Sequence, residues 1–532
     1  MLDNVAETNF KNESPTDFTV LRNIRLFEEA LSSVKSLIEA KELEAHPIVA
    51  GKAEWGKTTI ESQDPAIPTL ALGKVNFADR TIADKALISL QSGAKGWADT
   101  PPKERAEIIR KIANLMREKR YFLTALIICE CGKPWMEADG DVVEAIDFCD
   151  YYAAQMEKLG EPQKLVEVMG EHNIYFYQPR GVALVIGPWN FPLAIPCGMT
   201  VAALVTGNVT ILKPAEQSSL IAFEFAKLVL EAGVPSDAFA FLPGDGEEIG
   251  AHLVQDRNID LICFTGSKAV GLWIIEQASK RIDDQRTIKK VIAEMGGKNA
   301  IIIDEDADLD EAVKGVLYSA FGFAGQKCSA CSRVIAVGDC YEPFLKRLCA
   351  GANDLIVGDP KRPETFLGPV IDVESQQRLL ERIKKATEEN SLAFQGEVPQ
   401  EGYFVPATIF KDVAADSPIW SDELFGPVLA CTRANSFTEA IELANNSEYA
   451  LTGAVFSRSP NNLVLATKEF KVGNLYLNRG STGAIVQRHP FGGFKMSGVG
   501  SKAGGPDYLL QFLEPRVVTE NTMRRGFTPE LL

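Results

Sequence analysis

Val182-Ala183-Leu184-Val185-Ile186-Gly187-Pro188-Trp189-Asn190-Phe191-Pro192 decides the architecture of this chain. Five apolar residues in a row, three of them β-branched, read as a short strand, and the run stops abruptly at a glycine, two prolines and two aromatics. Similar β-rich runs follow at 209–212, 239–242 and 259–264, separated by helical stretches at 194–206, 217–232 and 247–255. Strand alternating with helix is the signature of a parallel sheet covered by helices, so the fold class is α/β. Open sheets of this kind bind ligands beyond the carboxyl ends of their strands. Ahead of these strands, 17–44 reads as an amphipathic helix, Thr100-Pro101 opens another with a hydroxyl cap and Pro at its first position, and 141–159 reads as a third. A second alternating region spans 300–477, with strands near 300–303, 333–337 and 454–456, and the Gly/Ser/Lys-rich 492–505 reads as a loop.

The chain has 532 residues, more than one core holds, and two interlocked domains with appendages are expected. A net charge of −17 disfavours a nucleic-acid partner, which needs a basic face to neutralise phosphates. No apolar run approaches the ~18 residues of a membrane span. Residues 1–7 have neither the basic and apolar regions of a signal peptide nor the Arg-rich look of a transit peptide. Ten cysteines without framework spacing fit a reducing cytoplasm.

Several motifs carry chemistry. Glu294-Met295-Gly296-Gly297 and Gly325-Gln326-Lys327-Cys328-Ser329 place a carboxylate and a thiol in two Gly-bearing segments. A base and a nucleophile are what a covalent thioester cycle requires. Asn190, in its rigid corner, offers a neutral amide donor to a developing oxyanion, unless that corner is only structural. Lys213-Pro214-Ala215-Glu216 ends a strand; it is either a surface ion pair or an acceptor for ribose hydroxyls that repels a 2′-phosphate and so favours NAD over NADP. Phe264-Thr265-Gly266-Ser267 opens a helix and is either a pyrophosphate site or a tight turn. Gly51 to Thr58 matches a phosphate loop on paper, but Pro65 and Pro68 deny it the following helix, and a β-turn is the better reading. Cys328-Ser329-Ala330-Cys331 lacks the second pair and the neighbouring histidines of a metal site, and no metal is expected.

Six of these pieces stand in a single order: Pro188–Pro192, Lys213–Glu216, Phe264–Ser267, Glu294–Gly297, Gly325–Cys328 and Glu423-Leu424-Phe425-Gly426-Pro427. Together they resemble the aldehyde dehydrogenases over residues 45–515. Within that family, Gly325 to Arg333, Asn478 to Val486, Pro490 to Gly493 and Ser497 to Pro506 resemble the enzymes that oxidise L-glutamate γ-semialdehyde, the 1-pyrroline-5-carboxylate dehydrogenases.

The resemblance implies a Rossmann-type NAD-binding domain (46–155 and 181–296) and an α/β catalytic domain (297–494). It further implies a β-rich oligomerisation arm (156–180 and 495–532) joining copies into a homodimer or larger assembly, while the helical pattern ahead of the matched span gives an N-terminal helical extension (1–45). Cys328 would be the nucleophile, Glu294 the base that activates water, and Asn190 an oxyanion donor. NAD would lie against Ile186, Pro188, Trp189, Lys213, Glu216, Phe264, Gly266, Ser267, Gly296, Glu423 and Phe425. The substrate's α-carboxylate needs several donors, because burying it unpartnered is prohibitive. Ser329 and the backbone N–H groups of Gly483 and Ala484 would supply them, although those two residues alone read as a plain turn. Phe191 and Phe491 would flank the aliphatic chain. Two alternatives stay open: a dehydrogenase for another small aldehyde, and a catalytically silent member of the fold, against which the presence of both Cys328 and Glu294 speaks.

Overall fold

The computed structural model describes residues 10–523. The outer parts of the N-terminal extension and the C-terminal arm, 1–9 and 524–532, lie outside the described residues, as does the leader reading made on 1–7.

The chain begins with helix α1 (Leu21–Ala40) and, after two intervening helices and a three-stranded sheet, reaches the twelve-residue α2 (Arg120–Cys131) and the long α3 (Trp135–Leu159). The first α/β sheet is built from β1 (Val182–Ile186), β2 (Val209–Lys213), β3 (Phe239–Phe241), β4 (Leu261–Thr265) and β5 (Lys290–Glu294). They are parallel in the order β5-β4-β1-β2-β3. Helices α4 (Ala194–Val205), α5 (Ser219–Glu231) and α6 (Lys268–Ser279) connect them. The strand order reverses between β1 and β4, and a crevice opens there at the carboxyl ends. β1 and β2 are almost wholly buried because both faces are covered, and every residue of α4 except Ile195 is buried.

The second sheet takes β6 (Asn299–Ile303), β7 (Cys331–Val337), β8 (Ser391–Gln395), β9 (Thr408–Lys411), β10 (Val428–Ala434), β11 (Thr452–Phe456) and β12 (Asn474–Leu477). Their order is β8-β9-β10-β7-β6-β11-β12, parallel except for the β8–β9 pair. Two apolar cores correspond to the two sheets. The first contains Met295 and the second starts at Ala300, so the chain passes between them through Gly296, Gly297, Lys298 and Asn299. The carboxyl end of β5 thus feeds directly into the amino end of β6.

Several boundaries differ from the sequence reading. Thr100 does not cap the helix that follows it; it ends the preceding one, and Pro101 caps Pro102–Glu118. Helix α3 starts at Trp135 rather than near Asp141, because Pro134 fixes its entry and Gly140 does not interrupt it. The arm expected over 495–532 begins later as a free strand. Gly498–Val499 pairs with Ala293 and Glu294 on the edge of the first sheet, and Tyr508, Leu509 and Phe512 enter the first core. Leu513–Asn521 then leaves the body and pairs antiparallel with Glu171–Pro179, which also holds Gln163–Lys164. The extension is no loose appendage either, since Phe27 and Val34 of α1 are fully buried. Gly51 has φ +71 in the turn between two short antiparallel strands, and a strand, Thr59–Asp64, follows. Among the described residues no helix is long and apolar enough to cross a membrane.

Candidate active site

One wall of the crevice comes from the carboxyl edge of the first sheet. Beyond β1, Ile186, Pro188 and Trp189 lead to Asn190, which is 5% exposed. Its side-chain amide donates to the Gln326 carbonyl at 3.1 Å, and its own carbonyl accepts from Lys133 Nζ at 2.9 Å. Lys133 is fully buried and paired with Asp141 at 2.8 Å, and it also sits 3.9 Å from the centre of the Phe191 ring. The other Asp141 oxygen accepts the Ala194 N–H at 2.6 Å, at the start of α4. A buried ion pair with its remaining valences filled rigidly holds the corner carrying Asn190 and Phe191. At the end of β2, Lys213 and Glu216 pair at 3.0 Å. Beyond Phe264, at the end of β4, Gly266 donates to the Glu294 carbonyl at 3.1 Å and Ser267 caps α6.

The facing wall comes from the amino edge of the second sheet. Phe323, Ala324 and Gly325 have φ of +52, +52 and +69, three left-handed residues in succession. That conformation costs about 1–2 kcal/mol for each residue with a Cβ, and packing must hold it. Gly325 is required twice over, because a Cβ there would lie 2.4 Å from the Gly426 carbonyl oxygen. The following turn, closed by Ala330 N–H to Lys327 O at 3.0 Å, carries Cys328 and Ser329 at its centre. Asn299 fastens it by donating to the Cys328 and Ala330 carbonyls, both at 2.8 Å, while accepting from Thr452 N–H at 2.9 Å. Lys327 is tied to Glu137 of α3 at 2.6 Å. Glu423 accepts the Gly297 N–H at 2.8 Å, and any Cβ on Gly296 would lie 1.9 Å from its other oxygen. Phe425, at φ +57, packs edge-on to Trp189 at 5.6 Å and so joins the two walls.

Burial sets the electrostatics. Glu294 is pushed up to about 8 by desolvation, which Lys502 partly offsets, and one of its oxygens has no hydrogen-bond partner. The Cys328 thiol is pushed up by burial and then by the Glu294 and Glu423 carboxylates; a bond from the Ser329 N–H pulls the other way. Glu144 of α3 is itself pushed up to about 8 by burial and by Asp141, and it also acts on Cys328.

The geometry beyond Cys328 turns on Arg479, which donates to the carbonyls of Thr482 at 3.2 Å and Gly483 at 3.1 Å. In a trans peptide the C=O and the following N–H point in opposite directions. The N–H groups of Gly483 and Ala484 therefore turn away from Arg479 together, with Gly483 at φ +77. Ser481, two residues earlier, donates to the Ser329 carbonyl at 3.2 Å and joins this loop to the turn that carries Cys328. Phe491 is held by paired backbone bonds to Ala503 at 2.9 and 2.7 Å. A Cβ on its neighbour Gly492 would lie 2.8 Å from Glu294 Oε1, so the backbone that follows Phe491 runs against the carboxylate.

The profile of the aldehyde dehydrogenase family matches residues 52–518. The chain belongs to the aldehyde dehydrogenase family. It is similar to 1-pyrroline-5-carboxylate dehydrogenase of Anoxybacillus flavithermus, at 46% identity over 96% of this chain and 99% of that one. It is similar in structure to 1-pyrroline-5-carboxylate dehydrogenase from Thermus with bound NAD, with a TM-score of 0.94, 42% identity, and coverage of 96% and 99%. It is also similar to proline utilization A (PutA) from Bdellovibrio bacteriovorus, with a TM-score of 0.96 and 47% identity over 98% of this chain. This chain spans 54% of that longer one.

For an aldehyde dehydrogenase, the sequence motifs bring together Glu294, Cys328, Asn190, Ser329 and Glu423 at one meeting of two sheet edges. The sequence reading missed Lys133, Asp141, Asn299, Glu144 and Arg479. A signal existed for Asp141 and Glu144, since with Glu137 they follow i, i+4 and i+7 and share one helix face. Cys331 lies buried in β7 and, like the other nine cysteines, is free. Among the described residues, Asp84, His252 and Asp256 put ligand-type atoms within 4.8 Å of one another, and a 2.8 Å His252–Asp84 bond accounts for that approach.

Proposed function

We propose that the chain oxidises L-glutamate γ-semialdehyde, the open form of 1-pyrroline-5-carboxylate, to L-glutamate with NAD as acceptor, in the breakdown of proline. The observation that carries the substrate is the pair of N–H groups at Gly483 and Ala484, turned outward by Arg479 in a loop bonded to Ser329. Two parallel donors suit a carboxylate, and Ser329 adds a hydroxyl beside the nucleophile. Glu144, which acts on Cys328, supplies a carboxyl for the α-ammonium group. Phe191 and Phe491 flank the short chain between these ends.

The donor set fits the cofactor. Glu216 has one oxygen on Lys213 and Glu423 has one on Gly297, and each keeps another for a ribose hydroxyl. Gly266 and Ser267 lead into α6, whose twelve residues direct positive potential at a phosphate. Ile186, Pro188, Trp189, Phe264, Gly296 and Phe425 complete the walls. When bound, the nicotinamide group supplies a hydride acceptor and a positive charge.

The chain's own residues do the rest. The Cys328 thiol, which burial keeps protonated, first gives its proton to solvent; the thiolate then adds to the aldehyde carbon, the carbon–sulfur bond forming as the carbonyl π pair moves to oxygen. The Asn190 amide and the Cys328 N–H hold that oxyanion, and one such donor contributes a factor of roughly 100–1,000. Loss of hydride from the same carbon leaves a thioester. Glu294, in its ionised form, takes a proton from water; the water oxygen bonds to the acyl carbon and the sulfur leaves as thiolate.

In this reading residues 46–155 and 181–296 carry the cofactor and 297–494 the nucleophile. The hairpin within 156–180 and the strand from Leu513 pair copies of the chain into a homo-oligomer. Ten free cysteines accord with the cytoplasm. NAD-dependent turnover of glutamate semialdehyde, compared with propanal and benzaldehyde, tests the proposal. A higher kcat/KM for the neutral aldehydes would overturn the assignment of Gly483 and Ala484.

A further inference from the structure

Helix α3 is acidic on two faces. Glu137, Asp141 and Glu144 serve the active site through Lys327, Lys133 and Cys328. Asp139 and Asp147 meet a different partner, the N-terminal strap that precedes α1, and Asp150 reaches the strap only through Arg117, which also holds Glu13. Thr16 donates to Asp139 through both its N–H and its hydroxyl, at 2.8 and 2.7 Å. Glu13 N–H donates to Asp147 Oδ1 at 2.7 Å, and its carboxylate pairs with Arg117 at 2.8 Å. Phe10 packs on Tyr151 and Phe18 on Trp135, each at 5.3 Å.

Asn12 links this strap to something else. Its side-chain amide donates to Asp147 Oδ2 at 2.8 Å and to the Val486 carbonyl at 3.0 Å. Val486 lies two residues beyond Ala484, in the loop that offers the two outward N–H groups. The same loop has a second tether to α3, in which Gln487 N–H donates to Gly504 O at 2.9 Å and Gly504 N–H to Tyr152 Oη at 2.8 Å. Helix α3 therefore fixes the Cys328 turn on one side and the far end of the substrate pocket on another, and one of the two ties to that far end runs through the N-terminal strap.

We propose that Asn12 is a positioning residue for substrate selection: by holding Val486 against α3 it sets how far the Gly483–Ala484 donors stand from Cys328. This rests on the substrate reading above. A loop held at fixed reach favours an aldehyde whose carboxylate lies at the matching distance, whereas a short neutral aldehyde does not touch it.

Asn12→Ala is expected to raise KM for glutamate semialdehyde about 5- to 10-fold, the worth of one hydrogen bond, with propanal kcat/KM unchanged. The strap keeps its Thr16, Glu13, Phe10 and Phe18 contacts, so an unchanged melting temperature accompanies the effect. The exchanged pair Asn12→Asp with Asp147→Asn separates positioning from simple tethering. It restores a donor opposite an acceptor between those two positions but leaves no donor for the Val486 carbonyl. A raised KM in the exchanged pair supports the proposal; recovery of the normal KM there would overturn it, as would an unchanged KM in Asn12→Ala beside an intact preference for glutamate semialdehyde. Preference of the unaltered enzyme for propanal would sink the substrate reading and this inference together.

Discussion

The two sheets meet at the site by opposite ends. The first presents its carboxyl edge, where β1, β2, β4 and β5 end in Asn190, Glu216, Gly266 and Glu294; the second presents its amino edge, where Asn299 and the turn ahead of β7 hold Cys328. The first arrangement follows the general rule for open parallel sheets and needs little special chemistry. The second has no such rule behind it. It is maintained by left-handed backbone at 323–325, by Asn299 bridging two carbonyls, and by Lys327 reaching across to α3. Shared architecture places Glu294 and Asn190, while local, costly packing places Cys328.

Substitutions on the two edges should fail differently. Cys328→Ala removes the proposed nucleophile, and a loss of at least about 1,000-fold in NADH formation is expected. Turnover within ten-fold of normal would break the contrast by moving the chemistry off the second edge. Glu294→Gln, on the first edge, should lower steady-state turnover by about 100- to 10,000-fold while keeping a single burst of NADH, with the acyl group then detectable on Cys328 by mass spectrometry. Asn190→Ala should cost roughly 100–1,000-fold in kcat with little change in KM, and a pure KM effect would remove its amide from the oxyanion. The smallest effect belongs to the loop behind the second edge: Arg479→Met frees the Thr482 and Gly483 carbonyls and should raise KM for glutamate semialdehyde by about 5-fold, with kcat kept.

The pH dependence sharpens the same comparison. Glu294 faces Cys328, Lys502 and Tyr508, and its pKa is pushed up to about 8. The base form grows as pH rises through that value, so deacylation should accelerate up to and beyond pH 8 and the Glu294→Gln variant should lose this limb. Stability runs in the opposite direction. A carboxyl whose folded pKa lies above its unfolded one favours folding when protonated, so that contribution falls away as pH climbs from the carboxyl range towards 8. Glu294→Gln should therefore gain in melting temperature over the unaltered protein across that window, and a constant gap would show that the carboxyl titrates lower.

What the sequence revealed follows the same division. Buried parallel strands announce themselves as continuous apolar runs, so 182–186 and 209–213 were legible, and the segments ending them carry short motifs. Contacts spanning much of the chain leave no local trace. Lys133 to Asn190, Arg333 to the carbonyls of Leu443 and Ala444, and Asn12 to Val486 each join residues between 57 and 474 positions apart. The Gly/Ser/Lys-rich segment 492–505 reads as loop because glycines hide strand propensity, yet Gly498 and Val499 add an edge to the first sheet beside Glu294. Thr100-Pro101 misled for a different reason: a hydroxyl that suits a helix start sits equally well at the end of the previous helix, where it bonds the Gly96 carbonyl.

Gly296 to Asn299, the short connection between the two cores, has one more implication. Glu294 stands at one end of it and Asn299, which grips the carbonyl of Cys328, at the other. Any rocking of one half of the molecule against the other is thereby converted into a change of spacing between proton acceptor and sulfur. A compound wedged between the halves, far from either atom, could idle the catalyst without occupying the aldehyde's place.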